Sequence, residues 1–215
     1  MNNLITIITI CSRPQYLEQI YNSIISQNYD NYKWILSFDS NEILYTPIEN
    51  NNIIKLVYKN KEGDITNYAA LNNIFNNYIK EDTFIHIIDD DNILYPNYFN
   101  TINNIINSNK ELQFIYYQQS YSNNNIRFIA RTNDIKEGHI DTAQVCFHSS
   151  LIKNTRFIQK YTADGIFYKE LINKIIKNKS KWYVLSKILC YYNFILKSTK
   201  ESTILHQKAL FLLNN

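Results

Sequence analysis

The chain has 215 residues, 45% hydrophobic and 19% charged, a balance that excludes intrinsic disorder despite the many Asn residues and suffices for one sizeable core. A formal net charge of +3 is too small for the strong basic field of a dedicated nucleic-acid binder, so no nucleic-acid partner is expected. Cys11, Cys146 and Cys190 are odd in number and far apart, which excludes a disulfide framework and metal-knuckle spacing and fits buried, reduced thiols.

The opening "LITIITI" is too short to span a membrane and lacks the positive start of a signal peptide. A soluble protein of the cytoplasm, or of a host or viral cytosol-like compartment, is expected. Its β-branched, nearly continuous apolar pattern predicts a first strand over Leu4 to Ile10, of the kind covered on both faces in a parallel sheet. After Pro14, Leu17, Ile20, Tyr21, Ile24 and Ile25 recur at helical spacing and predict a helix. "YKWILSFD" is a second strand ending at Asp39, "IIKLVYK" a third, "TNYAALNNIFNNYIK" a second helix and "TFIHIID" a fourth strand.

"YPNYFNTINNIINS" predicts a third helix, "LQFIYYQQ" and "IRFIAR" short strands, and "TAQVCFHSSLI" another strand. "ADGIFYKELINKIIKN" is an amphipathic helix opening near Asp164, and "WYVLSKILCYYNF" a late strand or hairpin before a basic tail. Alternating strands and helices predict an α/β fold, a mostly parallel central sheet flanked by helices with ligands outside the carboxyl ends of its strands.

Two such ends carry acids: Asp39, and the run Asp89, Asp90 and Asp91. In an extended chain, carboxylates at i and i+2 stand about 6–7 Å apart and repel by about 1 kcal/mol even in a well-screened setting. A cation would offset that cost. A hard divalent ion such as Mn²⁺ or Mg²⁺ takes one or two carboxylates and fills its shell with water and substrate phosphate, which a strand-end Asp-x-Asp provides. The residues themselves leave Asp89 and Asp91 equal as ligands.

With its neighbours this run resembles the GT-A glycosyltransferases, chiefly the large inverting family 2, with a local likeness to the animal glucuronyltransferases in "DDDN". "ITIITICSRPQYLEQIYNSI" is similar to that family's opening strand and helix, "WILSFDSN" to its second strand, and "GDITNYAALNNIF" to the helix leading to the metal strand. "YTADGIFYKELI" and "VLSKILCYYNF" follow in the family's order.

The resemblance implies one GT-A (Rossmann-like) domain over 1–215, with a nucleotide-binding half at 1–100 and an acceptor-binding half and tail at 101–215. It implies Asp91 as the metal ligand, with Asp89 steadying the pair or the donor sugar and Asp90 near the ribose. Asp39 would accept the uracil imide hydrogen, Thr9 and Arg13 would line the uridine pocket, and Asn67, Tyr68 and Asn72 would belong to the donor site. The implied partners are a UDP-sugar donor and a glycan, peptide or small-molecule acceptor. Inversion is expected from this likeness alone.

An inverting transfer needs a base for the acceptor hydroxyl, and Asp164 matches the family's base by its place before the late helix. The plain alternative is a helix N-cap, for which Asp is among the preferred residues. Asp141 in "GHIDTAQ" is the rival base. The chain departs from the family after the late strand, where Asn193 and Ile195 stand in place of an Arg and a His. Lys197 or Lys200 is the candidate to hold the diphosphate instead.

His86 within a strand reads as a core residue, His139 and His148 as possible contacts to acceptor or metal, and His206 as a tail residue that could reach the metal. Tyr116, Tyr117 and Trp182 are candidates to stack on sugars. Two other readings stay open. A sugar-1-phosphate nucleotidyltransferase uses a similar sheet, but "CSRPQ" lacks the glycines of its phosphate-gripping loop. A noncatalytic nucleotide- or sugar-binding protein would keep the fold without the chemistry.

Overall fold

Period-two alternation of large apolar residues builds the sheet and sends neighbouring side chains to opposite faces. The computed structural model describes residues 2–38, 50–59, 67–80, 82–121, 123, 125–132 and 134–192. Strand β1 (Ile5–Cys11) lies between β2 (Tyr32–Phe38) and β4 (Phe84–Ile87), parallel to both, and β3 (Ile53–Val57) continues the parallel set beyond β2.

Beyond β4 come β8 (Val145–His148), β6 (Leu112–Tyr121), β9 (Lys181–Tyr192) and the two-residue β5 (Ile93–Leu94), while β7 (Ile126–Phe128) pairs with β6. β8 is antiparallel to β4 and β6, whereas β9 runs parallel to β6, so the sheet stays mostly parallel.

On one face Leu17, Ile20 and Ile24 of α1 (Leu17–Ile25) and Phe99, Ile102 and Ile106 of α3 (Tyr98–Ser108) meet Ile5, Ile7, Trp34, Leu36, Ile115 and Tyr117. On the other, Leu71, Ile74 and Phe75 of α2 (Tyr68–Asn77) and Phe167, Leu171 and Ile175 of α4 (Ala163–Asn178) meet Ile8, Ile35, Phe114 and Tyr116. Each such buried side chain contributes about 1.5–3 kcal/mol relative to exposure, so both helical layers are anchored by the sheet.

The helix after Pro14 opens as a 3-10 turn over Pro14–Tyr16. "TAQVCFHSSLI" is strand only at Val145–His148, between two 3-10 turns, and the late segment is one long strand rather than a hairpin. The three cysteines are buried and not joined in disulfides. Among the described residues no helix is long and apolar enough to cross a membrane.

The Asn bias has a structural use in a chain with three glycines: Asn28, Asn97 and Asn154 take positive φ angles of 49°, 68° and 117°. Asn tolerates the left-handed region better than most residues with a Cβ. The α1 connection covers one face and α2 the other, so the strand order reverses between β1 and β4. That is where such sheets bind ligands, beyond the carboxyl ends of their strands.

Candidate functional site

Ile88 N donates to Ile8 O (2.9 Å), extending the β1–β4 ladder, and Asn92 N then donates to Asp89 O (3.1 Å). The acidic run is therefore a tight turn rather than the extended segment that its sequence suggested, and its three carboxylates have different surroundings.

Asp90, 2% exposed, turns toward the loop after β1. Its carboxylate accepts from Ser12 N (2.8 Å), Arg13 N (2.6 Å), Arg13 Nε (2.9 Å) and Arg13 Nη2. Arg13 Nη1 also reaches Asp91 Oδ2 (3.0 Å). Burial works against the Arg13 charge, but Asp90 and then Asp91 outweigh it and raise its pKa. Arg13 is thus the first cation to relieve the acidic run. Asp90 seats the turn through these contacts, and it also belongs to the cleft lining.

Asp89 is left on the cleft wall, its carboxylate making one long contact among the described residues, 3.5 Å from Asn92 Nδ2. Burial, followed by the charges of Asp141, Asp91 and Asp90, holds its pKa well above the usual carboxylate range. Burial also raises Asp91, against the pull of Arg13. Two carboxylates on one cleft wall, of which Asp91 has Arg13 as a partner and Asp89 has no cation among the described residues, suit a hard divalent ion whose other ligands are water and phosphate. Among the described residues there is no group of three ligating side chains that would make a closed protein cage. Asp89 and Asp91 are the residues that could hold Mn²⁺ or Mg²⁺.

The cleft, about 380 Å³, is also lined by Asn67 and Tyr68 at the start of α2, Arg127 and Phe128 of β7, Asp141, Tyr161, Asp164 and Tyr192. Five carboxylates and two guanidiniums belong to its described lining, so an anionic ligand needs added positive charge there.

Asp164 stands in the first turn of α4, after the N-cap residue Thr162, and is not itself the cap. Its Oδ1 accepts from Gly165 N (2.8 Å), and among the described residues it has no ion-pair partner. Burial is the main cause that pushes its pKa up to about 6, with Asp141 adding to it and the Gly165 N–H and Arg127 opposing it.

The rival, Asp141, is tied down. It caps the turn Thr142–Gln144 and accepts from Ala143 N (3.0 Å), Gln119 Nε2 (3.2 Å) and Arg127 Nη1 (2.6 Å). With those donors in place, its visible task is to hold Arg127.

Gly165 sets the approach of α4. A Cβ there would lie 2.5 Å from Glu137 Cα and Lys136 O, both backbone atoms that cannot swing aside. Gly165→Ala is expected to cost about 1–3 kcal/mol and lower the melting temperature by about 3–9 °C. A thermal melt at the wild-type value would show that the loop over 136–137 yields freely.

The other candidates divide clearly. Thr9 is 0% exposed and accepts from Trp34 Nε1 (3.0 Å), and Asn72 clasps Phe157 through both its amide atoms (2.8 and 2.9 Å). Neither lines the cleft, so both are packing residues rather than ligand contacts. His86 is buried, bonded through Nδ1 to Tyr117 Oη (2.7 Å) and pushed down to about 4 by burial, so it is a neutral core residue. His148 pairs with Asp82 (3.0 Å) at the start of β4, the far end of the strand from the acidic turn.

Tyr116 and Tyr117 are core residues, and Trp182 packs at the start of β9, so none of the three is placed for a sugar in the cleft. His139 is exposed and outside the cleft lining. Asp39, Lys197, Lys200 and His206 lie outside the described residues.

No family model and no curated protein matches the chain by sequence. Solved structures do match in shape. Staphylococcus aureus TarS (residues 1–349), in complexes with UDP and with UDP-GlcNAc, superposes with a TM-score of 0.64 at 12% identity over 88% of this chain. The chain covers 60% and 58% of those two TarS chains. An inositol-1-phosphate CTP transferase of T. maritima superposes with a TM-score of 0.54 at 10% identity, over 97% of this chain and 96% of that one. These likenesses show the fold: the chain has the α/β architecture seen in glycosyltransferase and nucleotidyltransferase structures.

Proposed function

We propose that the chain is a glycosyltransferase that moves a sugar from a nucleotide diphosphate donor, a UDP-sugar, to an acceptor hydroxyl with inversion. The observation that supports this reading is one cleft, beyond the carboxyl ends of β1 and β4, bounded by the acidic turn and by a desolvated Asp164 that has no ion pair among the described residues. The acceptor oxygen bonds to the anomeric carbon as its proton passes to Asp164. The bond from that carbon to the diphosphate oxygen breaks, and its electron pair leaves with the diphosphate.

A carboxylate with a pKa of about 6 is a stronger base than a free Asp and is still ionised at neutral pH. Asp89 and Asp91 would hold Mn²⁺ or Mg²⁺, which when bound supplies positive charge to the diphosphate. Arg13 and Asp90 keep the turn in shape. On the acceptor side Tyr161, 81% exposed, presents a ring face on which an acceptor sugar can lie.

The likeness to the CTP transferase, which covers nearly the whole of both chains, favours nucleotidyl transfer as a second reading. Against it, the Ser12 and Arg13 N–H groups after β1 are spent on Asp90 and are not free to grip a triphosphate. Incubation with UDP- and GDP-sugars and Mn²⁺, beside nucleoside triphosphates with sugar 1-phosphates, separates the readings. Release of nucleoside diphosphate supports glycosyl transfer. Release of pyrophosphate alone overturns it, and tight donor binding with no release under any acceptor marks a noncatalytic binding protein.

A further inference from the structure

Two guanidiniums line the described part of the cleft, and they differ in what they have left to give. Arg13 directs Nε, Nη1 and Nη2 to Asp90 and Asp91. Arg127 uses Nη1 alone, toward Gln119 Oε1 (2.8 Å) and Asp141 Oδ2 (2.6 Å). Its Nε and Nη2 make no hydrogen bond among the described residues. Those two nitrogens form one edge of the guanidinium, a parallel pair of N–H donors that matches two oxygens of a phosphate.

The group is also held in place. Its central carbon lies 3.3 Å from the centre of the Tyr192 ring and 4.6 Å from that of Phe128. Asp141, itself fixed by Gln119 and Ala143 N, holds the opposite edge. β9 pairs Tyr191 with Ile93, so Tyr192 and the guanidinium on it stand beside the turn that carries Asp89 and Asp91. A cation with one edge pinned and the other open has little freedom left to lose on binding.

We propose that Arg127 is a catalytic residue that grips the departing diphosphate. Nε and Nη2 donate to two oxygens of its terminal phosphate while the anomeric C–O bond breaks and the electron pair passes to the phosphate oxygen. Asp141 is the positioning residue that fixes the fork. This assignment rests on the glycosyl-transfer reading and adds a residue whose sequence context gave no hint of it.

The test is calorimetry of UDP and of UMP at saturating Mn²⁺ with the wild type, Arg127→Gln and Arg127→Lys. Arg127→Gln is expected to weaken UDP about 10–100-fold and UMP less than about threefold, because a charge-assisted contact to the second phosphate is lost. Arg127→Lys is expected to fall between, keeping the charge without the fork. Parallel losses for both nucleotides, or no loss for either, overturn the role of Arg127. A wild type that binds neither nucleotide with Mn²⁺ removes the donor-site reading itself, and this proposal with it.

Discussion

Asp164→Asn is expected to leave UDP affinity within about twofold of the wild type while cutting transfer to acceptor by about 10²–10⁴-fold, the usual contribution of a general base. Asn keeps the size and can still accept from Gly165 N, so packing at the start of α4 survives. In the wild type the transfer rate should rise as pH passes through about 6 and level off above it, because only the ionised carboxylate takes the proton. The Asn variant should lose that inflection.

Stability runs the other way. The folded-state pKa of Asp164 is raised, so the folded chain binds this proton more tightly than the unfolded chain. Its contribution is most favourable below the ordinary carboxylate pKa and is lost as pH rises to and beyond about 6. Asp164→Asn should therefore melt above the wild type at pH 7.5. A lower melting temperature with unchanged transfer would make Asp164 a structural residue.

The second large effect is on folding. Arg13→Met would strand Asp90, which is 2% exposed, with no partner among the described residues but backbone N–H groups and the Ser12 hydroxyl, and would take a cation from Asp91. Removing one partner of a buried pair costs about 3–5 kcal/mol, and since the Arg13 side chain is 31% exposed a loss of about 2–3 kcal/mol is expected. Urea unfolding at neutral pH measures it. Arg13→Lys should recover part of the loss, since it restores charge but not the two-sided contact. A wild-type midpoint for Arg13→Met would mean that the acidic turn needs no arginine.

Where periodicity was strong, the chain was legible. The apolar spacing of residues 163–178 marks out α4, and the β-branched opening marks out β1. β5 was not, because Ile93–Leu94 is two residues within a turn-like stretch and exists by pairing with Tyr191 and Cys190, far along the chain. The Asp89–Asp91 run was visible as a cost in need of a cation. That Arg13 meets part of this cost, and that the run is a turn, depends on β1 lying beside β4.

Thr9 and Asn72 were misplaced for the same kind of reason. A strand residue faces one side or the other, and Trp34 across the ladder takes the Thr9 hydroxyl. Asn is so frequent in this chain that nothing distinguished the one that binds the Phe157 backbone. Arg127 gave a weaker signal still. It is one of two arginines in the short β-like run "IRFIAR", and its aromatic, carboxamide and carboxylate partners come together only when β6, β7, β9 and the turn before β8 assemble.

The measurement closest to the centre of the account is calorimetric titration of UDP into the wild type and Asp91→Ala, each with Mn²⁺ and with EDTA. The acidic wall of the cleft predicts that UDP binds the wild type only with the ion, and that Asp91→Ala abolishes that binding. Equal UDP affinity in all four conditions would contradict a cation-bridged donor site at the Asp89–Asp91 turn.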